Sequence, residues 1–258
     1  MSSSSSGARP HHADPAIARG ETCERRVSIV VPTLNEDLSS PAERLIECLR
    51  SLEGTFEVIF VDDSSADHRA REIARLGGLD PRVQVRVIEG PHTGKGAAVR
   101  RGVAEAKGAI VFTIDADLPV PLRHIGEFLE RIDRGADVVI AERPLDREFD
   151  TLLRYAVSRA LLVIQQVFVF HSKEFKDTQC GFKAFRGDLA RQIASTQVVD
   201  GGMCDLEYLS DARRKGAKIV AVPVVPNAET RASRIDVWGC IRRDWIDVVR
   251  IRTKRVER

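Results

Sequence analysis

The chain has 258 residues, 43% hydrophobic and 30% charged, which is ordinary globular composition at a length suited to one domain with an appendage. Its formal net charge of +2 leaves no bulk polycation to coat nucleic acid. The longest uncharged apolar-rich run, 160–170, is about half of the roughly 20 residues that a membrane-spanning helix needs.

The leading MSSSSSGARPHHADP has no apolar core, so it does not read as a secretory signal, and residues 1–26 are expected to form a disordered polar leader. The β-branched run 27–31, closed by Pro32, predicts a buried strand. Pro41 suits the first turn of a helix that carries Leu45, Ile46, Leu49 and Leu52 at helical spacing and stops at Gly54. Residues 56–61 predict a second strand that runs into Asp62 and Asp63. A helix over 66–76 closes at Gly77-Gly78, and 83–88 predict a third strand. An Ala-rich helix follows over 95–107. The fourth strand, 109–114, ends in Asp115-Ala116-Asp117. A helix over 122–134 and a fifth strand over 136–141 complete the regular part.

Beyond Arg143 the pattern loosens. Residues 150–170 predict a long amphipathic helix, and 171–183 a polar loop. Helices are expected around 188–195 and 205–215, and an apolar strand from 218 to 225 ends at Pro226. The tail 231–258 carries eight arginines and Lys254 against four acids, a surplus of five positive charges, with Trp238 and Trp245 among them. It reads as a basic amphipathic helix that can lie on an anionic membrane surface. The five cysteines are scattered and form no C-x-x-C pair, which fits a reducing, cytoplasmic setting.

Strands alternating with helices imply crossovers and a mostly parallel sheet covered on both faces. Ligands of such sheets bind beyond the carboxyl ends of the strands. Asn35-Glu36, Asp62-Asp63, Asp115/Asp117 and Glu142-Arg143 each follow a predicted strand, so all should gather on that one edge. Two carboxylates two residues apart suit Mg²⁺ or Mn²⁺, hard cations that bridge carboxylate and phosphate oxygens. The 90–96 segment, Gly-Pro-His-Thr-Gly-Lys-Gly, lacks the spacing and hydroxyl of a P-loop. Its glycines, Lys95 and helix start still allow contact with a diphosphate. Arg154 and Ser158, one turn apart, could join Arg143 around a phosphate oxyanion. His92, His124 and His171 read as surface or hydrogen-bonded residues rather than ligands.

These strings together resemble the family-two, GT-A type glycosyltransferases, and most closely the dolichyl- or polyprenyl-phosphate β-glucosyltransferase group. VSIVVPTLNE (27–36), FEVIFVDDSSAD (56–67), TGKGAAVRRG (93–102), DADLPVP (115–121) and DTQCGFKAF (177–185) occur in that family's order, and CDLEYL (204–209) resembles its D-V-E-L-L segment. The resemblance spans about 27–252. It implies a GT-A domain over 27–230, Rossmann-like with a mostly parallel central sheet, followed by a helical appendage over 231–258.

The resemblance also implies roles. Pro32, Glu36, Asp63, Lys95, Asp115 and Ala116 would bind the nucleotide-sugar donor. Asp115 and Asp117 would hold Mg²⁺ or Mn²⁺, Asp117 more directly. Arg143, Arg154 and Ser158 would take the acceptor phosphate, Gln179 and Lys183 would line the donor–acceptor junction, and Asp205 would sit where an inverting transferase keeps a base. The implied reaction is inverting transfer of a hexose, glucose from UDP-glucose, to a polyprenyl phosphate. The alternative is the same chemistry on the hydroxyl of a soluble acceptor, with Asp205 or Glu207 as base. Nucleotidyl transfer fits less well, because no Gly-rich basic loop follows the first strand. A non-catalytic nucleotide-sugar binder would not need Asp115 and Asp117. The implied setting is cytoplasmic with peripheral membrane contact, and a homodimer is allowed for. The departures from the family pattern cluster in the acceptor half, at Pro119, Leu162, 201–204 and 226–229.

Overall fold

The computed structural model describes residues 26–34, 39–63, 80–144, 163, 166, 169, 175–227 and 237–254, the side chains of 39 and 237–243 excepted. The expected leader, the 66–76 helix and nearly all of the 150–170 helix lie outside the described residues, as do Glu36, Arg154 and Ser158.

Among the described residues the elements are, in chain order, β1 (Arg26–Thr33), α1 (Ser39–Arg50), β2 (Thr55–Asp62), β3 (Val83–Glu89), α2 (Lys95–Glu105), β4 (Ile110–Thr113), α3 (His124–Asp133), β5 (Val138–Glu142), β6 (Lys183–Arg186), α4 (Gly187–Thr196), α5 (Cys204–Arg214), β7 (Ile219–Pro223) and α6 (Val237–Thr253). The strands form one sheet in the order β3-β2-β1-β4-β6-β5-β7. All neighbouring pairs are parallel except those of β6, which runs antiparallel to β4 and to β5.

Two local expectations are corrected. Pro32 does not end β1, which continues to Thr33 along β2. The missing N–H costs nothing there. Val30 is the last β1 residue paired with β4, and Pro32 faces that side, beyond the pairing. The second correction is β6, which falls where a loop was expected to run directly into a helix. Its four residues are too few to show a period of their own, and long-range pairing with β4 and β5 defines it.

Alternation along the central strands explains the three layers. Val27, Ile29 and Val31 of β1, with Phe56, Val58 and Phe60 of β2, enter one core beneath α1 and α3. Val30, Ile59 and Val61 enter the opposite core beneath α2, α4 and α5. Phe112, Phe128 and Phe182 meet in the first core, the last two edge to face at 4.9 Å between ring centroids. Within the tail, α6 spans Val237–Thr253, and its Val248 and Ile251 pack into the second core.

Candidate active site

β2 and β4 flank β1 on its two sides, so the chain switches direction between β1 and β4. Beyond the carboxyl ends of these strands lie Asp63, Asp115, Ala116 and Asp117, with Pro32 among the last paired residues of β1, on the edge where a doubly wound sheet takes its ligands. Arg143 follows β5 on the same edge, because β5 is parallel to β4 through their shared antiparallel neighbour β6.

Four charged side chains interlock at this edge. The Lys95 ammonium lies 2.7 Å from Asp115 Oδ1 and 2.8 Å from Asp205 Oδ2. Lys183, 1% exposed, lies 2.5 Å from Asp205 Oδ1 and also donates to the Cys180 carbonyl. Burial alone would raise the Asp205 carboxyl. Lys183 and Lys95 outweigh it and hold the group below the usual carboxylate range. Burial likewise opposes the Lys95 ammonium, yet Asp115 and Asp205 raise it well above its ordinary value. Asp205 is therefore an ionised clasp between two lysines. Both of its oxygens are engaged by lysines, and a lowered carboxylate is a weaker proton acceptor.

Behind Lys95, the start of α2 is filled by the chain itself. The N–H groups of Thr93 and Gly94 donate to Asp63 at 3.0 and 2.8 Å, and Arg101 donates to it at 3.0 Å. His92 Nδ1 stands 3.2 Å from the same carboxylate. Burial would raise Asp63, but these donors outweigh it and lower its pKa. On the other side, the Asp200 carbonyl accepts from Gly96 and Ala97 at 2.8 and 3.2 Å. A Cβ at Gly94, where φ is +113°, would come within 2.6 Å of that carbonyl, and one at Gly96 within 2.5 Å of the Val199 carbonyl. The two glycines thus admit the 199–201 backbone, and these N–H groups point at protein acceptors. The Thr93, Gly94, Gly96 and Ala97 N–H groups are thus taken by the protein, while the Lys95 side chain reaches the strand edge. Glu207 fastens the segment from behind by accepting from Val198 and Val199, both at 2.8 Å, and from Lys254 at 2.6 Å. Glu207 is thus fully engaged and braces this segment against α6.

Arg143 meets Asp177 through Nε at 2.5 Å and Nη2 at 3.2 Å. The N–H groups of Gln179 and Cys180 donate to Asp177 Oδ1, both at 3.1 Å. Asp177 thereby folds the 177–180 turn and aims the arginine. The Gln179 amide donates to Met203 Sδ at 3.3 Å, beside α5.

Asp115 and Asp117 occupy a tight turn in which Leu118 N–H bonds to the Asp115 carbonyl. Leu118 has φ +46°, a left-handed conformation unfavourable for a leucine. Asn227 secures it, with Nδ2 donating to the Leu118 carbonyl at 2.7 Å and its N–H to the Pro119 carbonyl at 3.0 Å. Asp115 lies against Gly181, where a Cβ would stand 2.2 Å from Oδ2. Among the described residues, no group of three or more His, Cys, Asp or Glu could hold a metal ion. Two carboxylates on one turn nevertheless fit Mg²⁺ or Mn²⁺, which completes its shell with phosphate and water.

The structure thus brings Lys95, Asp115, Lys183 and Asp205 into one cluster, with Asp117 on the adjoining turn. Asp63 stands behind Lys95, and the 177–180 turn contains Gln179 and holds Arg143 through Asp177. Sequence reasoning missed Asp177, Gly181 and Asn227 as individual residues. Asp177 and Gly181 lie inside the group-specific string 177–185, which was the available signal. Asn227 lies in a stretch noted only as a departure.

The family described as Glycosyl transferase family 2 matches residues 28–191. Dolichyl-phosphate beta-glucosyltransferase ALG5D from Trichomonas vaginalis is 29% identical over 241 residues, covering 87% of this chain and 72% of that protein. Undecaprenyl-phosphate 4-deoxy-4-formamido-L-arabinose transferase from Pseudomonas paraeruginosa is 36% identical over 170 residues, covering 65% and 49%. Among solved structures, glucosyl-3-phosphoglycerate synthase from Mycobacterium tuberculosis in complex with Mn²⁺ and uridine-diphosphate-glucose aligns with a TM-score of 0.66 at 20% identity, over 95% of this chain and 84% of that one. This likeness shows the shared GT-A fold.

Proposed function

The chain belongs to glycosyl transferase family 2, and from that premise we propose that it moves glucose from UDP-glucose to a polyprenyl phosphate, with inversion at the anomeric carbon. The observation that carries the reading is the Asp205 clasp. Lys183 and Lys95 engage its oxygens and lower its pKa, which makes it a weak base toward an acceptor hydroxyl, and buried Lys183 keeps its hold when Lys95 turns to a diphosphate. A phosphate acceptor needs no such base, because its oxygen is already ionised near neutral pH. The dolichyl- and undecaprenyl-phosphate transferases among the relatives support the acceptor, and the Mn²⁺ and UDP-glucose of the solved neighbour support the donor.

In this reading Pro32, Glu36, Asp63, Asp115 and Ala116 shape the donor side, Asp63 by fixing the 92–94 loop. Asp115 and Asp117 would hold Mg²⁺ or Mn²⁺, whose charge would offset that of the departing nucleoside diphosphate. The Lys95 ammonium supplies a second positive charge on the same side. Arg143, steered by Asp177, joins Arg154 and Ser158 at the acceptor phosphate, while Gln179 and Lys183 border the junction. Lys183 keeps Asp205 ionised and in place. No helix among the described residues is long and apolar enough to cross a membrane. The lipid is instead met at the surface, where α6 turns Trp245, Ile246 and Val249 outward beside the exposed Arg250 and Arg252.

The test is incubation of purified protein with radiolabelled UDP-glucose, Mg²⁺ or Mn²⁺ and polyprenyl phosphate in detergent. A lipid-linked labelled hexose is expected. Transfer to no polyprenyl phosphate from any of several sugar nucleotides would overturn the reading.

A further inference from the structure

We propose that Lys95 is the resident cation of the Asp115 carboxylate, and that it keeps a divalent metal from settling there until a nucleoside diphosphate draws the ammonium away. The inference rests on the metal and nucleotide reading above and adds an order of entry to it.

Both sides of the contact are fixed, and only the lysine side chain is free to move. Lys95 is the first residue of α2, and its neighbours are bound on both sides, Gly94 to Asp63 and Gly96 and Ala97 to the Asp200 carbonyl. Asp115 is backed by Gly181, whose Cα region leaves no space even for a methyl group beside Oδ2. The carboxylate therefore cannot easily turn from the ammonium to meet another cation. Asp205 gives the ammonium a second anchor at 2.8 Å, and buried Lys183 holds that anchor from the far side. Asp115, Asp117 and Asp205 against Lys95 and Lys183 leave a single net negative charge at the edge. A divalent ion arriving alone would face an occupied carboxylate oxygen and a nearby positive charge. An anionic diphosphate reverses both conditions. It offers Lys95 new oxygens and offers the metal the phosphate ligands such ions prefer.

The probe is Mn²⁺, followed by electron paramagnetic resonance of the free ion, with and without UDP, in wild type, Lys95→Met and Lys95→Arg. Circular dichroism melting identifies the folded variants, and Lys95→Gln replaces Lys95→Met if the latter does not fold. Wild type should bind Mn²⁺ weakly alone, and roughly tenfold or more tightly with UDP, as expected for loss of one opposing charge. The neutral variant should bind Mn²⁺ alone about tenfold more tightly than wild type, with a smaller gain from UDP, whereas Lys95→Arg should stay weak. A neutral variant that binds nucleotide-free Mn²⁺ no more tightly than wild type would overturn the proposal, as would Lys95→Arg matching the neutral variant. UDP-dependent Mn²⁺ binding without sugar transfer would sink the glycosyl-transfer reading and leave this inference standing. No Mn²⁺ binding by any protein with UDP present would sink both.

Discussion

Asp63 shows how one buried carboxylate can organise a loop. It receives two backbone N–H groups and the Arg101 guanidinium, and the loop it holds presents Lys95. Its pKa in the folded protein lies below the value of about 3.9 expected in the unfolded chain. The stabilisation is therefore complete above that unfolded value and is lost as pH falls through the folded one. Asp63→Asn should cost about 2–3 kcal/mol, as charge-assisted hydrogen bonds are replaced by neutral, partly mismatched ones. Denaturant unfolding of both proteins should show that gap constant from about pH 5 to 8 and shrinking below about pH 4. A gap that widens in acid would show that the carboxylate is not ionised in the fold. Leu118 is the opposite kind of residue. Its strained backbone carries no charge, yet it shapes the turn between Asp115, Asp117 and Asn227.

At the scale of elements, α6 is tied to the site through buried charge. Glu207 and Asp211 are fully buried on α5, and Lys254, 5% exposed, contacts both carboxylates. Arg214 adds bonds to the carbonyls of Ile251 and Lys254 at the end of the helix. From Glu207 the chain of contacts runs through Val198 and Val199 to the Asp200 carbonyl and the start of α2. Lys254→Met would leave two buried carboxylates without their ammonium, a loss of about 3–5 kcal/mol by the usual cost of breaking a buried pair. Beyond the lower melting temperature, amide hydrogen exchange should quicken at Val198, Val199, Gly96 and Ala97. Unchanged protection at those four amides would show that the helix and the loop are independent. β6 is an element of the same long-range kind, since its pairing with β4 and β5 sets Lys183 beneath Asp205.

Across the whole molecule, the strand edge and the outer side of α6 differ in chemistry. The edge gathers carboxylates and lysines, which the proposed reading gives to a metal and a diphosphate. The helix offers Trp245, Ile246 and Val249 beside two exposed arginines. Vesicles rich in anionic lipid should float the protein at low salt, and neutral vesicles should not. Trp245→Ser should weaken flotation several-fold, as expected for loss of a buried interfacial aromatic ring. Equal flotation on neutral vesicles would remove the arginines from the account. By itself, the sequence determined the alternation of strands and helices and the placing of Asp63, Asp115, Asp117 and Arg143 after strand ends. Side-chain periodicity and strand–helix order are local properties, and parallel topology then puts those ends on one edge. Only the tertiary structure decided the partners. Lys95 and Asp205 are 110 residues apart, Arg143 and Asp177 34, and Asn227 reaches back 109 residues to Leu118. Periodicity tells which face a residue occupies, but ion pairs and hydrogen bonds are chosen by how distant segments pack. The same lysine that reads from sequence as a phosphate ligand is, in the fold, first a counter-ion to two aspartates.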